Sequence, residues 1–232
     1  MKKKIWQYLK SKGFSNVAAA ALMGNMEAES NCVAYRLQGD FTTGYVRSIE
    51  YTERVDTGTI SRNEFLYNGP GGGGYGLMQW TYPARKAGLY DLAKEQCLSV
   101  GDVFLQVEWL TRELWQPEFK AVLEVLQNSV SLRECSVVLV KKFLRPADQG
   151  EGVCAQRAKL AREFYNDFAE AERDRGRVPV SDEGGDGCSV PCLAEEETMS
   201  VPVKELDLLH RAMSVVVCLR EIFTLMEGFD DE

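Results

Sequence analysis

Leu22-Met23-Gly24-Asn25-Met26-Glu27-Ala28-Glu29-Ser30 places two carboxylates at the end of a segment that is otherwise apolar on nearly every side. Ser15 is a natural N-cap for a helix running into it, with Phe14 before it as a staple, and no proline interrupts Asn16 to Ser30. At 100° per residue, Ala18, Leu22 and Met26 share the face of Glu29, while Val17, Ala20, Met23 and Gly24 cover the other sides. A helix apolar all round belongs in the core. A carboxyl carried there resists ionisation, and the helix C-terminus adds its negative end in the same direction. Glu29 is therefore a candidate general acid, the group that protonates the leaving oxygen when a glycosidic bond is cleaved. Glu27 lies about 200° round the helix from Glu29, so only one of the two faces any one site. The competing reading makes both glutamates ordinary surface charges at a fraying helix end.

A second stretch, Gly71-Gly72-Gly73-Gly74-Tyr75-Gly76-Leu77-Met78-Gln79-Trp80, combines backbone freedom with groups suited to a polar ring. The glycines permit φ > 0 and close approach, and Gln79 can bond a sugar amide or hydroxyl. Tyr75, Trp80 and Tyr82 offer stacking faces with polar tips, although Tyr75 to Trp80 also reads as plain core. No Gly-Lys-Ser/Thr follows, which argues against a phosphate loop.

Gly24 to Ser30, followed by Gly74 to Trp80, resembles the paired Glu-Ser and Gly-Leu-Met-Gln motifs of phage tail lysozymes and the related goose-type lysozyme and lytic transglycosylase superfamily. Trp6 to Leu9 with Gly13, the Trp80-Thr81 junction with Arg85, Phe143-Leu144-Arg145-Pro146, and Ala161 to Tyr165 extend the resemblance over about residues 1–170. It implies a mainly α, lysozyme-like domain in which Glu29 is the catalytic acid; Tyr75, Gly76, Gln79, Trp80 and Tyr82 are placed at the substrate by their own chemistry. It also implies a muramidase cutting the β-1,4 bond between N-acetylmuramic acid and N-acetylglucosamine in bacterial peptidoglycan. A lytic transglycosylase giving 1,6-anhydro ends shares the motifs, and a silent wall-binding or tail-assembly module would keep the cleft without turnover. No metal or cofactor is implied.

A second carboxylate, to position water, is sought in residues 31–70, which lose helical period and carry short β-leaning runs such as Tyr45-Val46 and Ile49-Glu50-Tyr51. A long irregular or small β excursion is expected here, its polar and aromatic groups lining a cleft. Asp56 is the first choice, because Val55-Asp56 is similar to a recurrent Val-Asp of tail lysozymes; Asp40 and Glu64 follow. From Pro83 onward the pattern is helical scaffold. Ser131 to Glu134 forms a capping box, and a helix halts before Pro146.

Charge divides the chain: residues 171–232 hold 6 Lys and Arg against 15 Asp and Glu, a net −9 that leaves residues 1–170 at +1 within the total of −8. Without a basic stripe the protein is a poor nucleic-acid binder. Neither a secretory signal nor a membrane span is evident, and synthesis in the cytoplasm with action at the cell wall implies delivery by a phage tail or conjugation machine, or another export route. The seven cysteines are odd in number and mostly far apart, which suits reduced thiols; Cys188, Cys192 and His210 supply too few ligands for a zinc site. Residues 171–201 read as an acidic, Gly-rich linker and 202–232 as an amphipathic helix. Its stripe of Leu208, Ala212, Val215, Leu219, Ile222 and Met226 fits burial on the domain, a homo-oligomer through residues 203–227, or a machine partner.

Overall fold

The computed structural model describes residues 1–67 and 73–170. They form nine α-helices with short 3₁₀ and π segments, and two isolated bridges, Leu37 with Tyr75 and Tyr75 with Trp80, are the β pairing among the described residues. The linker at 171–201, the terminal helix at 202–232 with its oligomer seam, and the Cys188, Cys192 and His210 candidates lie outside the described residues.

Helix α1 (Lys2–Ser11) turns Ile5, Trp6 and Leu9 inward and is followed by Gly13 at φ 89°. Helix α2 (Asn16–Ser30) is the axis of the molecule, packed most heavily against α9 (Glu151–Phe164) and α8 (Leu132–Val138). Ser15 caps α2 as expected, its hydroxyl accepting from the Ala18 N–H at 3.1 Å. Residues 18–26 of α2 are buried without a break, as its lack of a polar face requires. Gly24 marks the tightest point: a Cβ there would lie 2.6 Å from the backbone nitrogen of Ala161. Glycine thus lets the two helix backbones approach, and whatever α9 carries one turn earlier is brought to the end of α2.

The excursion differs from expectation. Residues 46–56 form α3 (Val46–Asp56) and 62–67 form α4 (Arg62–Tyr67), so Ile49-Glu50-Tyr51 is helical rather than β. The inward face of α3 is Ser48, Tyr51, Thr52 and Val55, a helical i, i+3, i+4, i+7 set in which two members are small and polar. Each polar member is satisfied inside: Ser48 donates to Asp40 Oδ2, and the Thr52 and Tyr75 hydroxyls bond at 2.7 Å.

Helices α5 (Pro83–Glu95), α6 (Val103–Leu114) and α7 (Lys120–Asn128) complete the scaffold, with α8 continuing as a π segment over Leu139–Leu144 and α9 over Tyr165–Glu170. Asp102 caps α6 through the Phe104 and Leu105 N–H groups. The Ser131 hydroxyl accepts from the Glu134 N–H, while the Glu134 carboxylate turns to Ser129 instead of closing the box. Arg145, at φ 53°, ends the π segment before Pro146. Cys32, Cys135 and Cys154 are buried free thiols.

Candidate active site

The two motifs meet through one hydroxyl. Ser30 Oγ lies 3.0 Å from both the Met26 and the Leu77 carbonyl oxygens, so the end of α2 is tied to the loop carrying Gly76-Leu77-Met78-Gln79. That loop is held from below by Gln106 of α6, which is wholly buried. Its Oε1 accepts from Leu77 N–H at 2.8 Å, and its amide nitrogen donates to the Ala34 and Val100 carbonyls. Gly76, at φ +78°, is required on two counts, because a Cβ there would sit 2.5 Å from Gln106 Oε1. Gln106 was not singled out from sequence; the available signal was an amide on the apolar stripe of Val103, Val107 and Leu110.

Glu29 emerges beside this junction with its side chain 17% exposed. Its Oε1 accepts from Arg157 Nη2 at 2.8 Å, and Nη1 of the same guanidinium donates to the Asn25 carbonyl at 3.0 Å. Burial pushes the Glu29 carboxyl up, and the charge and hydrogen bond of Arg157 pull the other way without cancelling it. Glu27 points elsewhere, pairing with Lys2 of α1 at 2.8 Å, so one glutamate faces the loop. Arg157 lies 128 residues from its partner, and nothing local in sequence marks it.

Beyond Glu29, Asn31 Nδ2 donates to the Tyr45 hydroxyl at 2.9 Å, and the Arg36 guanidinium lies 4.3 Å from the centre of the Tyr45 ring. The Arg36 carbonyl accepts from Gly76 N–H and from Gln79 Nε2. Arg36 and Tyr45 are thus fixed to both motifs, Tyr45 in left-handed backbone at φ 57°.

Several sequence-predicted residues are placed differently from their expected roles. Tyr75 is 0% and Trp80 1% exposed, so neither ring presents a stacking face in this arrangement. The Trp80 indole N–H donates to Glu113 Oε2 at 2.7 Å, and Arg85 holds the same carboxylate while donating to the Phe143 carbonyl. The Trp80, Arg85 and Phe143 motifs therefore form one buried brace. Gln79 is half-buried at φ 49°, its amide nitrogen bonded to the Arg36 and Gly76 carbonyls. Tyr82, 72% exposed, keeps an open ring face.

The three second-carboxylate candidates all have backbone partners. Asp40 is buried and takes donors on both oxygens from Thr42 and Ser48; burial opposes its charge, but those donors outweigh it and hold the carboxyl well below its usual range. Glu64 accepts from the Ser61 N–H and hydroxyl at the start of α4. Asp56, the last residue of α3, accepts from Val100 N–H through Oδ1 at 2.9 Å.

Residues 1–168 match the family model described as phage tail lysozyme. The chain belongs to the phage tail lysozyme family. Membership points to a peptidoglycan-lytic activity in a phage-tail setting, and the match spans every residue of the Glu29 junction. Among curated proteins none matches the chain. No helix among the described residues of this tail lysozyme domain is long and apolar enough to cross a membrane.

Proposed function

We propose that this tail lysozyme is a muramidase, cutting the β-1,4 bond between N-acetylmuramic acid and N-acetylglucosamine with Glu29 as general acid. The observation that carries the proposal is a single half-buried carboxyl, raised by desolvation, at the junction of both motifs. A carboxyl kept protonated above the ordinary range is what departure of a sugar oxygen needs. In this reading Asp56 orients water through Oδ2 while Oδ1 holds Val100, Gln79 and the Gly76 backbone form one wall, and Tyr82 offers a ring to a sugar face. Tyr75 and Trp80 support that wall from the core. The enzyme acts at the bacterial cell wall as a component of a tail or mobile element, with peptidoglycan as its partner and no cofactor.

A second reading, lytic transglycosylase, is favoured by a specific observation: Asp40, Asp56 and Glu64 each already bond backbone N–H groups. Glu29 alone would then act as acid and afterwards as base toward the muramyl 6-hydroxyl. Mass spectrometry of fragments released from purified peptidoglycan by wild type, Glu29→Gln and Asp56→Asn separates these readings. Hydrated reducing ends lost with either substitution support the muramidase, since the amide oxygen introduced by Asp56→Asn can still accept from Val100. Anhydro ends that survive Asp56→Asn support the transglycosylase. Equal release by wild type and Glu29→Gln removes Glu29 from the chemistry, and no release by either favours a binding module.

A further inference from the structure

We infer that Arg157 is the positioning residue of the acid: it holds Oε1 of Glu29 and so leaves Oε2 as the oxygen that carries and delivers the proton. This rests on the reading of Glu29 as general acid and adds to it which oxygen works and what sets its direction.

The geometry is the first support. Arg157 is 7% exposed, its Nη2 bonds one oxygen of Glu29 at 2.8 Å, and its Nη1 is anchored to the Asn25 carbonyl one turn back along α2. The fork therefore spans the last turn of α2, fixing both the carboxylate and the backbone that bears it. Among the described residues no donor reaches Glu29 Oε2, and it is not one of the buried polar atoms left without a partner, so it is the oxygen open to solvent or substrate.

Energetics point the same way. Arg157 Nε and Asn25 Oδ1 are both buried without a partner among the described residues, and each such orphan costs stability. A buried ion pair is in any case weak evidence for stability, because an apolar pair of similar size does as well or better. A brace between α2 and α9 is already supplied by their close backbone approach at Gly24 and Ala161, so a buried ion pair is not needed for that purpose.

Electrostatics bound what the pair can do. On α2, Glu27 is engaged by Lys2 of α1, and Arg157 of α9 is the charged group acting on Glu29. Its cation favours the ionised acid, while burial favours the protonated one. Arg157 thus keeps the proton labile as well as aimed, which an acid that must also release its proton requires.

The test uses the full chain with Arg157→Met, which keeps length and loses the fork, and Arg157→Lys, which keeps charge at one point. Two readouts are taken: kcat and KM against pH on solubilised glycan strands, and titration of the Glu29 carboxyl by infrared difference against Glu29→Gln. We expect Arg157→Met to lower kcat about 10- to 100-fold with KM little changed, as misplacing a reacting group by about 1 Å does. Its infrared titration and the alkaline limb of its rate profile should both move to higher pH. Arg157→Lys should keep the limb near wild type with an intermediate kcat. If Arg157→Met changes melting temperature alone, with wild-type kcat, limb and titration, Arg157 is only a brace and the inference is overturned. If Arg157→Met does not fold, a wild-type limb and kcat in Arg157→Lys overturn the fork, since one ammonium cannot reproduce it. If wild type releases no fragments, the infrared shift still tests the pairing, and the failure belongs to the proposed function instead.

Discussion

Glu29 and Lys86 contrast a partly buried carboxyl that the proposed mechanism uses with a buried amine that only costs stability. In the proposed mechanism Glu29 must be protonated to act, so lysis is expected to fall as pH rises through its raised pKa; the alkaline limb should lie above the ordinary carboxylate range, and a limb at ordinary values in the kcat/KM profile would contradict this. Glu29→Gln mimics the protonated acid and still accepts from Arg157. It should lower turnover at least ~100-fold and, because a carboxyl raised in the folded state costs stability once pH passes its ordinary value, melt above wild type at about pH 7 with the difference vanishing in acid, measured by circular dichroism. Lys86 is 1% exposed, donates to the Gly73 carbonyl at 3.1 Å and lies 4.5 Å from the Phe65 ring centre, with burial lowering its pKa to about 8. For an amine depressed from 10.5, the unfolded chain binds the extra proton between those values, so stability rises with pH across that window. Lys86→Met should therefore be more stable than wild type at pH 7, with the gain fading as pH rises from about 8 toward 10.5 in paired melting curves. A gain independent of pH would mean that Lys86 is not charged at a cost in the folded state.

Elements transmit these residue effects. Gly24→Ala must push α9 from α2, since the new Cβ would meet the Ala161 backbone at 2.6 Å, and overpacking of this kind costs about 1–3 kcal/mol. Because Arg157 rides on the displaced helix, lysis should fall further than the population of folded protein, a difference visible when activity is normalised to folded fraction. Gln106→Leu strips partners from Leu77 N–H and the Ala34 and Val100 carbonyls. At about 1–3 kcal/mol per orphaned group it should be severely destabilising, and a fall of under about 1 kcal/mol in urea unfolding would refute the role given to it. The sequence made α2 legible because an uninterrupted apolar run has one stable location, and it made Ser15 and Ser30 legible because caps and motif termini are local. Helices α3 and α4 were hidden because Ser48 and Thr52 occupy inward positions that a hydrophobic pattern scores as polar; their burial follows only once Asp40 and Tyr75 are known to receive them. Asp56 was read as a loop carboxylate for the same reason, and Trp80 as a ligand for sugar because its partner Glu113 lies a helix away. Arg157 is the extreme case, a lone arginine whose meaning is set entirely by the close crossing at Gly24.

At the scale of the molecule, the site has no element of its own. Glu29 comes from α2, the Gly76 to Gln79 loop from between α4 and α5, Gln106 from α6 and Arg157 from α9, so each partner reaches the junction through a different part of one hydrophobic core. Local unfolding of a lid or loop is the usual way an enzyme loses activity before it loses structure. Here the braces Ser30 to Leu77, Gln106 to Leu77 and Arg157 to Glu29 tie the site to α2, the most deeply buried helix, and leave little that can open alone. Loss of lytic activity in urea is therefore expected to coincide with loss of helical circular dichroism, a single cooperative transition for both. The measurement is residual lysis assayed in the same urea series as the ellipticity, with substrate saturating throughout. Inactivation at clearly lower urea than helix loss would show that the junction unfolds as a separate unit, and would place its stability in the loop rather than in the core that carries it.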